Sequence, residues 1–219
     1  MANSTLMNLF TLSEPILGSV LRRFLDEEKS ATIEAEARVE FAALSEEMPY
    51  ATAPFDHHMF TPTLAGFQWL AVYRAARAHG IGPHELGASI LQEDFPSWSG
   101  VIDESMRKTY RRDSAESQLS PGEAEFVFEY IEDEGRPGLN YEVKITQCAL
   151  CHAFARHDAT ELLPYICAAD DSMSTAGDQG LRRTGTIALG ADHCDFHFHH
   201  GDEPKPLAPQ YPEQIRTDG

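Results

Sequence analysis

Cysteine is missing from the first 147 residues of this 219-residue chain, and all four that exist (Cys148, Cys151, Cys167, Cys194) fall in one stretch of the last third. Basic charge is also scarce: 17 Lys and Arg stand against 35 Asp and Glu, a net charge of −18. A phosphate backbone or an anionic membrane surface would be repelled, so neither nucleic acid nor membrane is an expected partner. No apolar run approaches the length of a membrane span, and the first residues lack the basic head and apolar run of a signal peptide. A cytoplasmic protein with reduced thiols is the expectation. Internal repeats are absent too, and the only low-complexity tract is the Pro-rich tail over 201–219.

What is present suits a folded enzyme-sized chain. Hydrophobic residues make up 42%, with 12 Phe and 7 Tyr, enough for a core in one domain or a closely joined pair. Residues 1–120 read as helical. Leu17, Val20, Leu21 and Phe24 follow Ser13 and Pro15 at helical spacing, predicting a helix of about twelve residues that begins there. An Ala- and Glu-rich segment from about Thr32 to Glu47 predicts a second helix, with Ile33, Ala37, Val39, Phe41 and Leu44 as its stripe. Pro54, Pro62 and the pair His57–His58 mark a connection over 49–63. A broad apolar face from Leu64 to His79 ends at Gly80, and Ile81-Gly82-Pro83 opens another helix with Leu86, Ile90 and Leu91. Residues 96–123 form a polar bridge, with one more helix around Glu104 to Arg112.

Residues 121–200 change period. EFVFEYIED and NYEVKITQ alternate as strands about a Gly135-Arg136-Pro137-Gly138 turn. Helices are predicted from Ala149 and from Glu161 to Ala168, then two strands, LRRTGTIAL and HCDFHFHH, about Gly190-Ala191-Asp192. The fold class is therefore α+β: a helical N-terminal half, then an antiparallel β-β-α-α-β-β layer covered on one face by helices. In the last strand Cys194, Phe196 and Phe198 point one way, and His193, Asp195, His197 and His199 the other. The apolar set should meet the helices. The polar set is either a pocket wall or a solvated face.

The region 121–200 also holds the candidate Cys/Asp/His site. Cys148 lies where a strand hands over to a helix, so unsatisfied N–H groups and the positive end of the helix dipole favour its thiolate. His152, four residues on, is placed to accept a proton. Cys167 is expected near the end of its helix, where the dipole disfavours a thiolate and Asp170 could help it orient a substrate or water. Zinc is a competing reading, since Cys148-Ala-Leu-Cys151 is a CxxC that Cys167 and Cys194 or the His-rich strand could complete. A second CxxC is lacking and the first lies on a helix, so no cofactor is expected.

The runs ITQCALCHAF, ELLPYICAADD and RRTGTIALGADHCDFHF resemble the C-terminal signature of the L-2-amino-thiazoline-4-carboxylic acid hydrolase family. Its pattern is matched here by Cys148, by Cys167 with Asp170, by Arg183-Thr184-Gly185-Thr186, by Gly190, and by Cys194-Asp195-Phe196-His197-Phe198. AGFQWLAVYRAARAHGIGPHELG is similar to the family's middle helix pair. The resemblance implies a hydrolase that opens a five-membered ring at a C=N bond to give an N-carbamoyl amino acid. By that resemblance Cys148 or Cys167 is the nucleophile or positions a water, and Asp170 and Asp195 are acid/base or amidine-binding groups. Arg183 is the carboxylate clamp, with Thr184, His152 and His197 as further substrate contacts. His197 stands where the family's last strand usually carries Arg, which points to a related small heterocycle or amide as substrate. A homo-oligomer is compatible with this. The alternatives are a small-molecule-binding sensor domain and a metal-dependent hydrolase using the His-rich strand.

Overall fold

The apolar stripe of the first helix begins earlier than its proline suggests. The computed structural model describes residues 4–52, 55–93, 101–119 and 121–203. In it α1 runs Ser4–Arg22 with Pro15 inside the helix. Leu6, Phe10, Leu17 and Leu21 share one buried face. Burying each side chain contributes about 1.5–3 kcal/mol, enough to offset the roughly 3 kcal/mol that an internal proline costs. Phe10 stacks on Phe41 of α2 (Glu27–Leu44) with ring centroids 4.7 Å apart. Asp26 caps α2 by accepting from the backbone N–H of Lys29 at 2.8 Å. Of the stripe expected there, Ile33, Ala37, Phe41 and Leu44 are buried, but Val39 is 73% exposed. Next come α3 (Phe60–Ala78) and α4 (Pro83–Ile90), with Gly80 between them at φ 77°. Pro54, the segment 96–100, Ser120 and the tail beyond Glu203 lie outside the described residues.

The chain divides into two compact units. One comprises the chain to Glu93 and takes back Ala153–Ile166; the other holds the intervening stretch to His152 and the chain from Cys167 onward. In the first, His157 is the tie for the returning segment. Arg74 lies 2.8 Å from its Nδ1, and its Nε2 meets Glu47. Glu161 accepts a 2.6 Å hydrogen bond from the buried Tyr73 hydroxyl.

The second unit carries the sheet. Its elements are α5 (Glu104–Leu119), β1 (Val127–Glu132), β2 (Asn140–Gln147) and β3 (Cys194–His199), with the unit boundary passing through α6 (Ala149–Arg156) and α7 (Leu163–Ala176). The sheet order is β1-β2-β3 and both pairings are antiparallel. The α+β class and the helical N-terminal half hold. Register places Phe128, Ile145 and Cys194 in one row, Tyr130, Val143 and Phe196 in the next, and Tyr141 opposite Phe198. This is the apolar face. Tyr110 of α5 covers it, with ring centroids 5.2 Å from Tyr130 and 6.2 Å from Tyr141. Helix α5 also closes the outer edge of β1: Ser114 Oγ accepts from Tyr130 N at 3.0 Å, and Ser117 Oγ accepts from Phe128 N at 3.2 Å. Edge groups that would invite another strand are thereby satisfied.

One expected strand does not form. Of LRRTGTIAL, only Arg182 bridges β3, exchanging hydrogen bonds with His197 at 2.8 and 3.0 Å. Beyond it the chain turns away, and Ile187–Leu189 is a 3-10 turn ending at Gly190 with φ 90°. The layer is therefore β-β-α-α-β with a single bridge. No helix of the described residues is long and apolar enough to cross a membrane.

Candidate active site

Alternation along β3 separates two polar groupings. On the apolar face Arg183 lies against Phe196, its guanidinium carbon 5.1 Å from the ring centroid. Two adjacent carboxylates of α7 hold it, Nη1 to Asp170 at 3.0 Å and Nη2 to Asp171 at 2.7 Å. The side chain is 1% exposed. The two terminal nitrogens of Arg183, expected as a clamp, are engaged by the protein, and they position Asp170. Burial and the Asp171 charge outweigh Arg183 and push the Asp170 pKa up to about 6. The Asp170 side chain is still 32% exposed, so a small molecule can reach it.

Cys148 occupies the position just before α6, the place of a helix N-cap. The Cys151 side chain acts on its sulfur, and so do the backbone N–H groups of Cys151 and Leu150. Together these outweigh burial and hold its pKa below the usual thiol range. Helix onset is marked by His152 N donating to Cys148 O at 3.2 Å. The strongest influence on the Cys148 sulfur is thus Cys151, three residues on, and no hydrogen bond joins the His152 ring to it among the described residues.

Cys167 sits in the second turn of a helix that runs to Ala176, not at its end. Burial first, then the Asp170 charge, pushes its pKa well up, so the dipole is not the reason it stays protonated. Cys194 is buried; its sulfur accepts from Ile187 N at 3.2 Å, and burial pushes its pKa up to about 12. The charges of Cys148, Asp170 and Arg183 are each felt at Cys167 and at Cys194. Cys148, Asp170, Arg183 and Cys194, distant from one another in sequence, all lie within electrostatic reach of Cys167. Of the four thiols only Cys148 has its pKa lowered, while those of Cys151, Cys167 and Cys194 are raised.

Asp195, Thr184 and His197 lie on the other face. The Asp195 carboxylate accepts from Thr184 N at 2.9 Å, Thr184 Oγ1 at 2.7 Å and Gly185 N at 2.9 Å. Burial acts to raise its pKa, but these hydrogen bonds outweigh it and hold the group below the usual carboxylate range. Its carboxylate pins the Arg183-Thr184-Gly185 turn to β3. That explains why Arg-Thr-Gly-Thr and Cys-Asp-Phe occur together. His197 lies between Glu142 and Asp195, at 3.6 and 3.7 Å.

Asp195→Asn is expected to destabilise the protein by about 2 kcal/mol, since the amide loses the charge and one acceptor. Because the folded pKa is depressed, the wild-type contribution is complete above the unfolded value of about 3.9 and is lost as pH falls through the folded pKa. Urea denaturation of both proteins across that range measures the difference; equal stability at neutral pH would contradict the pin.

Cys151 and Asp171 were not assigned as site residues from the sequence. Their signals were there, in a CxxC at a helix start and a second acid beside Asp170, but which atoms they meet is a tertiary matter. No curated protein and no solved structure gives a significant match to the chain. A family model, L-2-amino-thiazoline-4-carboxylic acid hydrolase, matches residues 70–198, more than half of the chain and all of the thiol and carboxylate cluster. The protein belongs to the L-2-amino-thiazoline-4-carboxylic acid hydrolase family.

Proposed function

We propose that this protein is a cysteine-dependent hydrolase that opens a small heterocycle at a C=N or amide-like C–N bond. The substrate class is 2-aminothiazoline-carboxylates and related cyclic amidines or ureas. The observation that carries this reading is Cys148 at a helix start, its thiol held low by Cys151 and two backbone N–H groups and within reach of the Asp170 charge. A cyclic amidine is protonated near neutral pH, so its carbon is electrophilic and its nitrogens donate hydrogen bonds. The ionised Asp170 carboxylate pairs with that cation, and the Cys148 thiolate adds to the carbon between the heteroatoms.

Ring opening follows when the bond from that carbon to a ring heteroatom breaks. Water then adds to the sulfur-bound carbon and gives a proton to Asp170. The S–C bond breaks last, and the depressed pKa of Cys148 lets it leave as a thiolate. The net change is one water added and one ring bond broken. Arg183 is a positioning residue that fixes the Asp170 carboxylate, and Asp195 holds the turn that carries Arg183. The free thiols suit a reducing, cytoplasmic setting.

Turnover of 2-aminothiazoline-4-carboxylate, hydantoins and cyclic ureas by the purified full chain tests the reading. Failure on every class, with the protein folded, would overturn it. Because Asp170 works ionised, kcat/KM is expected to rise with pH through about 6. Asp170→Asn should lower it by roughly 10²–10⁴-fold and remove that limb. A limb unchanged in the variant would exclude Asp170 as the group.

A further inference from the structure

The CxxC that opens α6 has a second chemical capacity, separate from ring opening. Cys148 and Cys151 are both partly accessible and both free. Cys148 stands just before α6 and Cys151 in its first turn, close enough for each thiol to act on the other. Side chains three apart on a helix have Cβ atoms about 5–6 Å apart, against about 3.5–4.5 Å in a disulfide. A movement on the order of 1 Å closes that gap, and Cys148, just before the helix, joins the i→i−4 ladder only through its carbonyl. The other two thiols are placed differently. Cys194 is buried with its sulfur on Ile187 N, and Cys167 lies on α7.

We propose that Cys148 and Cys151 form a hydroperoxide-responsive dithiol whose product is a reversible disulfide across the first turn of α6. The Cys148 thiolate attacks one oxygen of the hydroperoxide. The S–O bond forms, the O–O bond breaks, and the other oxygen leaves and takes up a proton to become an alcohol or water. Cys148 is then a sulfenic acid, oxidised by two electrons. The Cys151 sulfur gives up its proton and attacks Cys148; the S–S bond forms, the S–O bond breaks, and hydroxide leaves with that proton as water. Two thiols are oxidised and one peroxide is reduced. Oxidation removes the thiolate, and an exogenous dithiol restores it.

This inference rests on the geometry of the pair and not on the hydrolase reading, and its test reads mass rather than turnover. The reduced full-length protein is treated with hydrogen peroxide and mapped by mass spectrometry under non-reducing conditions. The expected product has lost two hydrogens, carries a Cys148–Cys151 link, and reverts with dithiothreitol. In Cys151→Ser a sulfenic acid is expected to persist at Cys148 and to be trapped by dimedone. Linkage of Cys148 to Cys167 or Cys194, a sulfinic acid without any disulfide in the wild type, or no reaction at either cysteine would overturn the proposal.

Discussion

Cys148→Ser is expected to lose turnover by roughly 10⁴-fold or more while leaving the fold intact. Serine at this position still accepts hydrogen bonds from the first-turn N–H groups, and is among the best residues for that place. Helix α6 therefore keeps its start. What serine cannot do is ionise near neutral pH: the neighbours that hold the Cys148 thiol below its usual range would have to move a hydroxyl many units further. Serine thus separates the cap from the nucleophile, which alanine would not. Circular dichroism and denaturation check the fold, and single-turnover kinetics check the chemistry. Activity within about tenfold of wild type would show that water attacks the ring directly and that Cys148 is a cap only.

Arg183→Ala is expected to have the largest effect on stability, a loss of about 2–3 kcal/mol. The guanidinium is 1% exposed and bridges Asp170 and Asp171, so its removal leaves two adjacent carboxylates facing one another and an empty space beside Phe196. A fully buried pair broken in this way costs about 3–5 kcal/mol; the lower figure applies because Asp170 is 32% exposed and relieves the charge by taking a proton. Without Arg183 the folded-state pKa of Asp170 rises further above its unfolded value. The destabilisation is therefore complete above that folded pKa and shrinks as pH falls toward the unfolded one, when both states hold the proton. Denaturant midpoints near pH 7 and near pH 4 measure the two limits. A lysine keeps the charge without the two-pronged fork and is expected to recover only part of the loss. Equal stability of wild type and alanine variant at neutral pH would mean that the triad contributes nothing to folding.

The elements that declared themselves in the sequence are those whose side-chain period matches their burial. Phe126, Phe128 and Tyr130, and then Tyr141, Val143 and Ile145, alternate because a pleated strand presents every second residue to the same side, and β1 and β2 form there. Cys148 was legible for a local reason as well: a strand ending at Gln147 and a helix beginning at Ala149 leave one residue at the junction.

The segment 181–189 shows where local pattern fails. LRRTGTIAL alternates like a strand, yet after Arg182 its groups find other partners. Arg183 is drawn to Asp170 and Asp171, and the N–H groups of Thr184 and Gly185 turn onto the Asp195 carboxylate instead of a neighbouring strand. A charged acceptor competes well with a neutral ladder carbonyl. Pro15 does not mark the start of α1 for a related reason, because the buried side chains of α1 outweigh one missing hydrogen bond.

By itself the sequence determined the class of fold, the strand that presents cysteine and aspartate on opposite sides, and the thiol at a helix start, because each follows from spacing along one element. Only the tertiary structure decided that Arg183 serves Asp170 and Asp171 and that Asp195 turns to Thr184 and Gly185. Those choices are made between elements, where a charge or a hydrogen-bond donor takes whichever partner packing brings within reach, and no periodicity in the chain encodes which one that is.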